Sequence, residues 1–511
     1  MMKKSISLLT VGLVGLVVAA IFEYGYNFAE QVVAQVNIIS IFLRILVTLV
    51  VLVVFFWIIL KSENPYVKIP WLLALAINPL FGAFLFLSFA RDFKSSSRYR
   101  KRKLMHDYGY LVHEPETDLS AAEYQSLDKD HLQIFQTSFG LGKHHIFAND
   151  SKVHVLTNGD EKFPALKREL LKAKDYIFMQ YYILKTDETA REVLEILKAK
   201  VKQGVEVRLL YDAFGAYYAD TTFIKSLKKA GIQVEIIDRV WNPVLNTRIN
   251  YRNHRKVTVI DGQVGFTGGL NLGDEYIHKN PYFGFWRDTH LTLTGRVVNS
   301  LLAVFVKDWY YATGEFLDDP RYYCARPVNA SGYVQVLQSG PDSTQPVIRN
   351  TYLKMIAQAT YSVKIMSPYL IPDQEIMSAL KTAAASGVRV QIIVPGKPDK
   401  KIVYTVTESY FAPLIKAGVQ LYYYPDVFTH AKVLIIDDEI ASCGTVNMDV
   451  RSFQLNFEDT VLFKSDAVDK LVADFEHDLA QCVEITLESW RHRSALRKIT
   501  EGVLSIAAPL M

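Results

Sequence analysis

With 511 residues, half of them apolar, the chain is too long for one small domain and has material for more than one core. A formal net charge of +4 is too small to argue for nucleic acid, so the position of charge matters more than its sum. Three cysteines (Cys324, Cys443 and Cys482) exclude a disulfide framework, and no C-x-x-C pair offers a zinc site; ordinary buried thiols in a reducing compartment are expected.

Three apolar stretches open the chain, at about 6–22, 38–60 and 69–90. Crossing a hydrocarbon core takes roughly 20 apolar residues. The second and third stretches have that length and the first is marginal. Lys3, Lys4 and "VVAA" also give the first the look of a signal peptide, but the apolar segments behind it and the sparse cysteines argue against export. A basic run follows the third stretch: Arg91, Lys94, Arg98, Arg100, Lys101, Arg102 and Lys103. Such a run stays cytoplasmic and attracts anionic headgroups, by about 1 kcal/mol per basic residue. The segment 23–37 carries acids and no Lys or Arg, which suits the outside, whereas Lys61 and Lys68 suit the inside. Three full crossings from a cytoplasmic N-terminus would leave the basic run outside. Either the N-terminus is outside or one segment does not cross, and Asn78, Pro79 and Gly82 fit a re-entrant or kinked third helix. On both readings residues 91–130 form a cytoplasmic linker and the remainder works close to a bilayer.

Beyond residue 150 the chain repeats. An amphipathic helix feeding an apolar strand at 163–184 has a counterpart at 347–371. Helix, glycine and β-branched strand recur at 193–212 and 376–395, with Gly204 and Gly387 at the helix ends. The same order recurs at 227–237 and 414–424. Alternating helices and strands predict a duplicated α/β domain. The first half alone inserts 238–253, where Trp241, Pro243, Val244 and Leu245 mix with Arg239, Arg248 and Arg252. Apolar tips on basic stems fit a lipid interface, and equally an ordinary packed loop.

Each half ends on a shared polar pattern. His254, Lys256, Asp261, Gly268-Gly269 and Asn271 match His430, Lys432, Asp437, Gly444-Thr445 and Asn447. The flanking "KVTVI" and "KVLII" predict a strand, on which residues two apart share a face, so each His projects with its Lys. An imidazole beside an ammonium suits phosphoryl chemistry: Lys supplies charge to phosphate oxygens, and His attacks phosphorus or carries a proton. The glycines allow close backbone approach, and Asn271 and Asn447 add donors.

The doubled H-x-K-x(4)-D-x(6)-G-[GST]-x-N pattern resembles the phospholipase D superfamily. With the N-terminal apolar segments, "NHRKVTVIDG", "GFTGGLNLGDEY", "WRDTHL", "GTVNMDVRSFQLNFE" and the Pro-Leu-Met terminus, it is similar to bacterial cardiolipin synthases over nearly the whole chain. The resemblance implies a membrane anchor (1–90) and two phospholipase D-like half-domains, 131–325 and 326–511, forming one catalytic unit. It implies phosphatidyl transfer between two phosphatidylglycerol molecules through a phosphohistidine. His254 is then the nucleophile and His430 the acid and base, although the near-symmetric repeat by itself does not fix that order. Lys256, Lys432, Asn271 and Asn447 would hold phosphate oxygens. No metal or other cofactor is expected.

Asp261 and Asp437 belong to the motif but face the "DG" and "DD" hairpin turns as much as the site. Asp288 in "WRDTH" and Glu458 in "LNFE" are the better candidates to orient the imidazoles. His290 falls on a predicted strand as a structural residue, and the remaining histidines show no paired spacing. The terminal stretch 490–511 reads as a basic amphipathic helix that either docks on a membrane surface or packs on the domain. Hydrolysis, or transfer to another alcohol, is the nearest alternative activity. A nuclease is disfavoured by the apolar segments and modest charge, and a non-catalytic scaffold by two intact motifs.

Overall fold

The computed structural model describes residues 37–60, 65–89, 129–217, 219–238, 251–491 and 493–505. They fall into two compact units, an N-terminal one and one from residue 129 onward.

In the N-terminal unit, helix Asn37–Leu60 carries the stretch Ile41–Leu60, the one among the described residues that is long and apolar enough to cross a membrane. The third apolar stretch is not a single span. Helix Pro65–Ile77 stops before Asn78, and helix Pro79–Phe89 starts after it. The Asn78 side chain accepts the Phe81 N–H at 3.0 Å, capping the second helix, and Pro79 takes the first position, where no donor is needed. Gly82 approaches so closely that a Cβ there would sit 2.5 Å from the Ala74 carbonyl. At about 1.5 Å per residue, helices of 13 and 11 residues are each too short for a hydrocarbon core of about 30 Å. The chain breaks and folds back at Asn78 rather than continuing as one straight helix. Val54, Ile58, Leu75, Ala83 and Phe86 form a small apolar core, with Trp57 and Trp71 edge-on to Phe86. The first apolar stretch, the 239–250 part of the insertion and the basic run lie outside the described residues.

The larger unit is a mixed α/β fold built on two sheets. The first has seven strands in the order Ser151–Thr157, Thr289–Gly295, Val264–Gly268, Val257–Ile260, Tyr176–Tyr181, Glu206–Asp212 and Gln233–Ile237. The second contains their counterparts in the same order: Tyr333–Ser339, Glu458–Lys464, Ile440–Gly444, Val433–Ile436, Ser362–Met366, Arg389–Pro395 and Gln420–Tyr424. It adds short edge strands Phe147–Ala148 and Val483–Glu484. In each sheet the last three strands of this order run parallel, joined by helices, and the others pair antiparallel. Asp187, Asp220 and Asp373 cap crossover helices by accepting the N–H of Ala190, Thr222 and Ile376. Gly204 and Gly387, past two helix ends, adopt φ of +87° and +93°, where a side chain would be strained.

The segment 131–148, read from sequence with the first half, belongs to the second. Ile134, Phe135 and Ile146 pack with Leu337, Ile348 and Leu434, and Phe147–Ala148 pairs with Tyr333–Ser339. Both sheets share one core, in which Phe178, Val257 and Leu291 join Val336, Ile435 and Val461 around helix Val297–Thr313. Cys443 is buried as expected, but Cys324 is exposed.

A buried polar knot ties that helix to the first motif. One Asp308 carboxylate oxygen accepts from Gln180 (2.7 Å), Asn253 (2.8 Å) and Arg255 (2.9 Å), and Asp308 and Arg255 are both fully buried. Arg255 also donates to the Glu458 carbonyl at 3.1 Å, reaching the other half. Removing one partner of a buried ion pair strands the other, so Asp308→Ala should destabilise the protein by about 3–5 kcal/mol in chemical denaturation. A loss under about 1 kcal/mol would show that the knot contributes little.

Candidate active site

The two His-x-Lys tripeptides are not in the regular strands that the sequence predicts for them. Strands Val257–Ile260 and Val433–Ile436 begin just after each lysine. The residues before them peel off and pair with the opposite half. His254 N–H donates to the Phe457 carbonyl and Phe457 N–H to the Arg252 carbonyl, both at 2.9 Å. In mirror fashion Phe428–Thr429 pairs in parallel with Trp286–Arg287, and His430 N–H donates to the Arg287 carbonyl at 2.7 Å.

This exchange sets the orienting carboxylates crosswise. Glu458, from the second half, lies 3.0 Å from Nδ1 of His254 in the first. Asp288, from the first half, lies 2.8 Å from Nδ1 of His430 in the second. Both acids are fully buried and held by further donors. Thr445 and Asn456 donate to Glu458, and the Trp286 indole and Thr289 N–H to Asp288. Gly269 leaves room for this arrangement, since a Cβ there would lie 1.9 Å from an Asp288 oxygen. With Nδ1 engaged, Nε2 of each ring is the atom left for chemistry.

The charges are coupled across the repeat. Burial, partly offset by Glu458, pushes His254 down to about 4, with Lys256 and Lys432 lowering it further. Burial and Lys432 push His430 down to about 3 against the pull of Asp288, and Lys256 contributes. Each imidazole therefore feels both lysines. Burial alone would raise the two acids. His254 and Lys256 nevertheless hold Glu458 below the usual carboxylate range, as His430 and Lys432 hold Asp288. Lys256 falls to about 7 and Lys432 to about 8, chiefly through burial. Each lysine stays with its histidine: Lys256 Nζ donates to the His254 carbonyl, and Lys432 Nζ lies 2.8 Å from His430 Nδ1.

The two sides differ chemically. The Tyr182 ring packs edge-on to His254 at 5.1 Å, and Arg252 and Arg451 are within electrostatic reach of that tyrosine. Arg252 is paired with buried Asp212 at 3.1 Å. His430 instead meets the rings of Trp286 (5.1 Å) and Phe428 (5.6 Å). None of Tyr182, Asp212 or Phe428 stood out in the sequence. Phe428 could have been noticed, because it precedes His430 by two residues where Arg252 precedes His254 in an otherwise matching pattern.

The remaining motif residues lie apart or are engaged elsewhere. Asp261 and Asp437 sit at the far ends of the strands, about 16 Å beyond Lys256 and Lys432 at the usual rise over five residues. The Asp261 carboxylate accepts the N–H groups of Lys174, Asp175 and Tyr176, and that of Asp437 those of Thr360, Tyr361 and Ser362. With Gly262 and Asp438 they form turns with positive φ at both central residues. A catalytic place for these two acids does not match that geometry; the turn-shaping alternative does. The Asn271 amide is held between the Ile183 N–H and the Tyr276 hydroxyl, whereas the buried Asn447 carbonyl oxygen has no hydrogen-bond partner. His290 is fully buried on strand Thr289–Gly295, in line with a structural role. Among the described residues no cluster of three or more His, Cys, Asp or Glu side chains could hold a metal ion.

Comparison with known proteins supplies a context for this geometry. The family described as "Cardiolipin synthase, PLD-like domain" matches residues 166–303 and 352–479. Cardiolipin synthase 2 of Bacillus cereus is 42% identical over 89% of this chain and 88% of its own. The cardiolipin synthase of Geobacillus sp. (strain WCH70) is 41% identical over 92% of this chain and 94% of its own. Among solved structures, phosphatidylserine synthase of Haemophilus influenzae superimposes with a TM-score of 0.58 at 15% identity, covering 74% of this chain and all of that one, a likeness of fold.

The depressed lysines give stability a pH signature. Between about 7 and the ordinary lysine value the unfolded chain binds more protons at these positions than the folded one, so unfolding free energy should rise as pH increases from 7 to 9. Denaturant titrations should show that rise, with a smaller slope in Lys256→Met. Equal slopes in parent and variant would place the Lys256 ammonium in an environment as polar as water.

Proposed function

We propose, for a chain that belongs to the family of cardiolipin synthases with a phospholipase D-like domain, that the His254–His430 site joins two phosphatidylglycerol molecules. The protein is a phosphatidyltransferase of phospholipid biosynthesis. The observation carrying the assignment of residues is the crosswise pair of imidazoles, each tied at Nδ1 by a carboxylate from the other half.

In the first step Nε2 of His254 attacks phosphorus and the P–O bond to the headgroup glycerol breaks. His430 gives its Nε2 proton to the departing alkoxide, and free glycerol leaves. In the second step His430 takes the proton of a headgroup hydroxyl on another phosphatidylglycerol. That oxygen attacks phosphorus, the P–N bond breaks, and cardiolipin and the original His254 result. Both rings are neutral in the empty site, which suits the nucleophile. A bound phosphodiester brings negative charge between them and raises His430 toward its acid role. Lys256 and Lys432 stabilise the charge that develops on the phosphoryl oxygens.

The surroundings of the two rings support this order. Lys256, with Arg252 and Arg451 near Tyr182, favours an anionic phosphohistidine at His254, and the Trp286 and Phe428 rings around His430 suit the exchange of neutral glycerol. The unpartnered Asn447 oxygen fits a headgroup hydroxyl. Asp261 and Asp437 act as anchors of the motif strands. Helix Asn37–Leu60, with the apolar stretch at 6–22, supports a multi-pass membrane anchor, and the basic run at 91–103 supports a catalytic unit on the cytoplasmic side, in contact with anionic lipid and without a nucleic-acid partner.

Purified protein given phosphatidylglycerol alone in micelles should yield cardiolipin and glycerol in equal amounts. His254→Ala and His430→Ala should each lower that yield by at least about 10²–10⁴-fold. Phosphatidic acid as the main product would assign the site to hydrolysis, and substantial turnover in either variant would contradict one shared site.

A further inference from the structure

The C-terminal helix Ala495–Ser505 is amphipathic but inverted relative to a helix packed on a core. Its polar side faces the protein: Glu501 is only 4% exposed and pairs with Arg493, and Arg497 bonds Glu408 on the neighbouring helix Lys401–Ser409. Leu504 adds a partial contact to Ile371 and Val406. The apolar row Leu496, Ile499 and Val503 points outward at 74%, 63% and 61% exposure. Positions spaced by three and four residues form one stripe on a helix.

The charges at this surface are one-sided. Glu408 and Glu501, the carboxylates of these two helices, are both buried against arginines. Arg497, Lys498, Lys400 and Lys401 remain exposed. An apolar stripe with exposed charge of one sign, and the acids turned inward, complements an anionic bilayer surface. The residues after Ser505, Ile-Ala-Ala-Pro-Leu-Met, extend the apolar character in sequence.

This surface lies close to the reaction centre. Val406 packs on Ile371, strand Leu370–Ile371 pairs with Met448–Asp449, and Asn447 immediately precedes that strand. Lys400 lies over the ring of Tyr369, whose hydroxyl donates to Asp399 at 2.6 Å.

We propose that helix Ala495–Ser505 is a membrane-docking element that inserts Leu496, Ile499 and Val503 into the headgroup region of an anionic bilayer and so holds the catalytic unit at the surface carrying its substrate. The proposal rests on the phospholipid reading of the active site for its choice of surface, but its test does not depend on turnover.

The test uses the full chain with Ile499→Cys in a Cys324→Ser background, labelled with a polarity-sensitive dye and reconstituted in nanodiscs. The same background without Ile499→Cys controls for labelling at Cys482. Cardiolipin formation by the labelled protein is assayed in parallel micelles, so a failed functional reading is told apart from a failed docking reading. In phosphatidylcholine discs containing phosphatidylglycerol, the dye should shift to the blue and be quenched by lipids brominated near the headgroup. The shift should shrink in phosphatidylcholine alone, in high salt and in the added Leu496→Gln/Val503→Gln variant. A dye that reports water in every disc overturns the proposal. A blue shift without quenching by brominated lipid also overturns it, because protein rather than bilayer would then cover the stripe.

Discussion

Everything at the site depends on one exchange between the halves: each histidine is oriented by a carboxylate it does not share a half with. The segment ahead of His254 zips onto the segment ahead of Glu458, and the segment ahead of His430 onto the one ahead of Asp288. A buried carboxylate is costly unless cations and donors surround it. Here each acid takes a hydroxyl or indole donor from its own half and an imidazole from the opposite one, so only the assembled pair of sheets completes the set. Neither half alone satisfies its own acid. The site and the docking of the two sheets are therefore one structural event, and the shared core around helix Val297–Thr313 supplies the apolar driving force for both.

The same arrangement gives a doubled motif two copies with different surroundings. The backbone frame is repeated strand for strand. What departs from the repeat is the immediate lining: Tyr182 and the nearby arginines at His254, Trp286 and Phe428 at His430. Gly269 against Thr445 is part of that difference. The glycine yields its side-chain volume to the short Asp288, whereas the threonine hydroxyl donates to the longer Glu458. In the proposed mechanism, identical frames with different linings would let one imidazole carry the phosphoryl group while the other handles protons.

Much of this was legible in the sequence because it is local. The strand–helix order and the helix-terminal glycines follow from periodicity and backbone preference, and the His-x-Lys spacing from the chemistry of phosphate. Asp288 and Glu458 could be singled out as orienting acids because the resembled family carries a carboxylate at about their distance from each motif. Which histidine each one serves could not, because the pairing is made through space by a strand exchange that leaves no periodic mark. For the same reason His254 and His430 were placed on regular strands: "KVTVI" and "KVLII" are strand-formers, but the pairing partner just before them changes from the home sheet to the opposite half. The helix and short strand at 129–148 were assigned by proximity in sequence, whereas the open edge at Tyr333–Ser339 claims them. The third apolar stretch had the composition of a span, and Asn78-Pro79 overrode it through capping and a missing donor.

The account stands or falls on the covalent intermediate and on which half supports it. Rapid quenching of the protein with phosphatidylglycerol, followed by peptide mass mapping, would locate a phosphatidyl group on histidine. It should be found on His254, and Glu458→Gln, a change in the other half, should slow its appearance by at least about tenfold through loss of ring orientation. A phosphatidyl group on His430, or an adduct on His254 that forms at the parent rate without the Glu458 carboxylate, would contradict it.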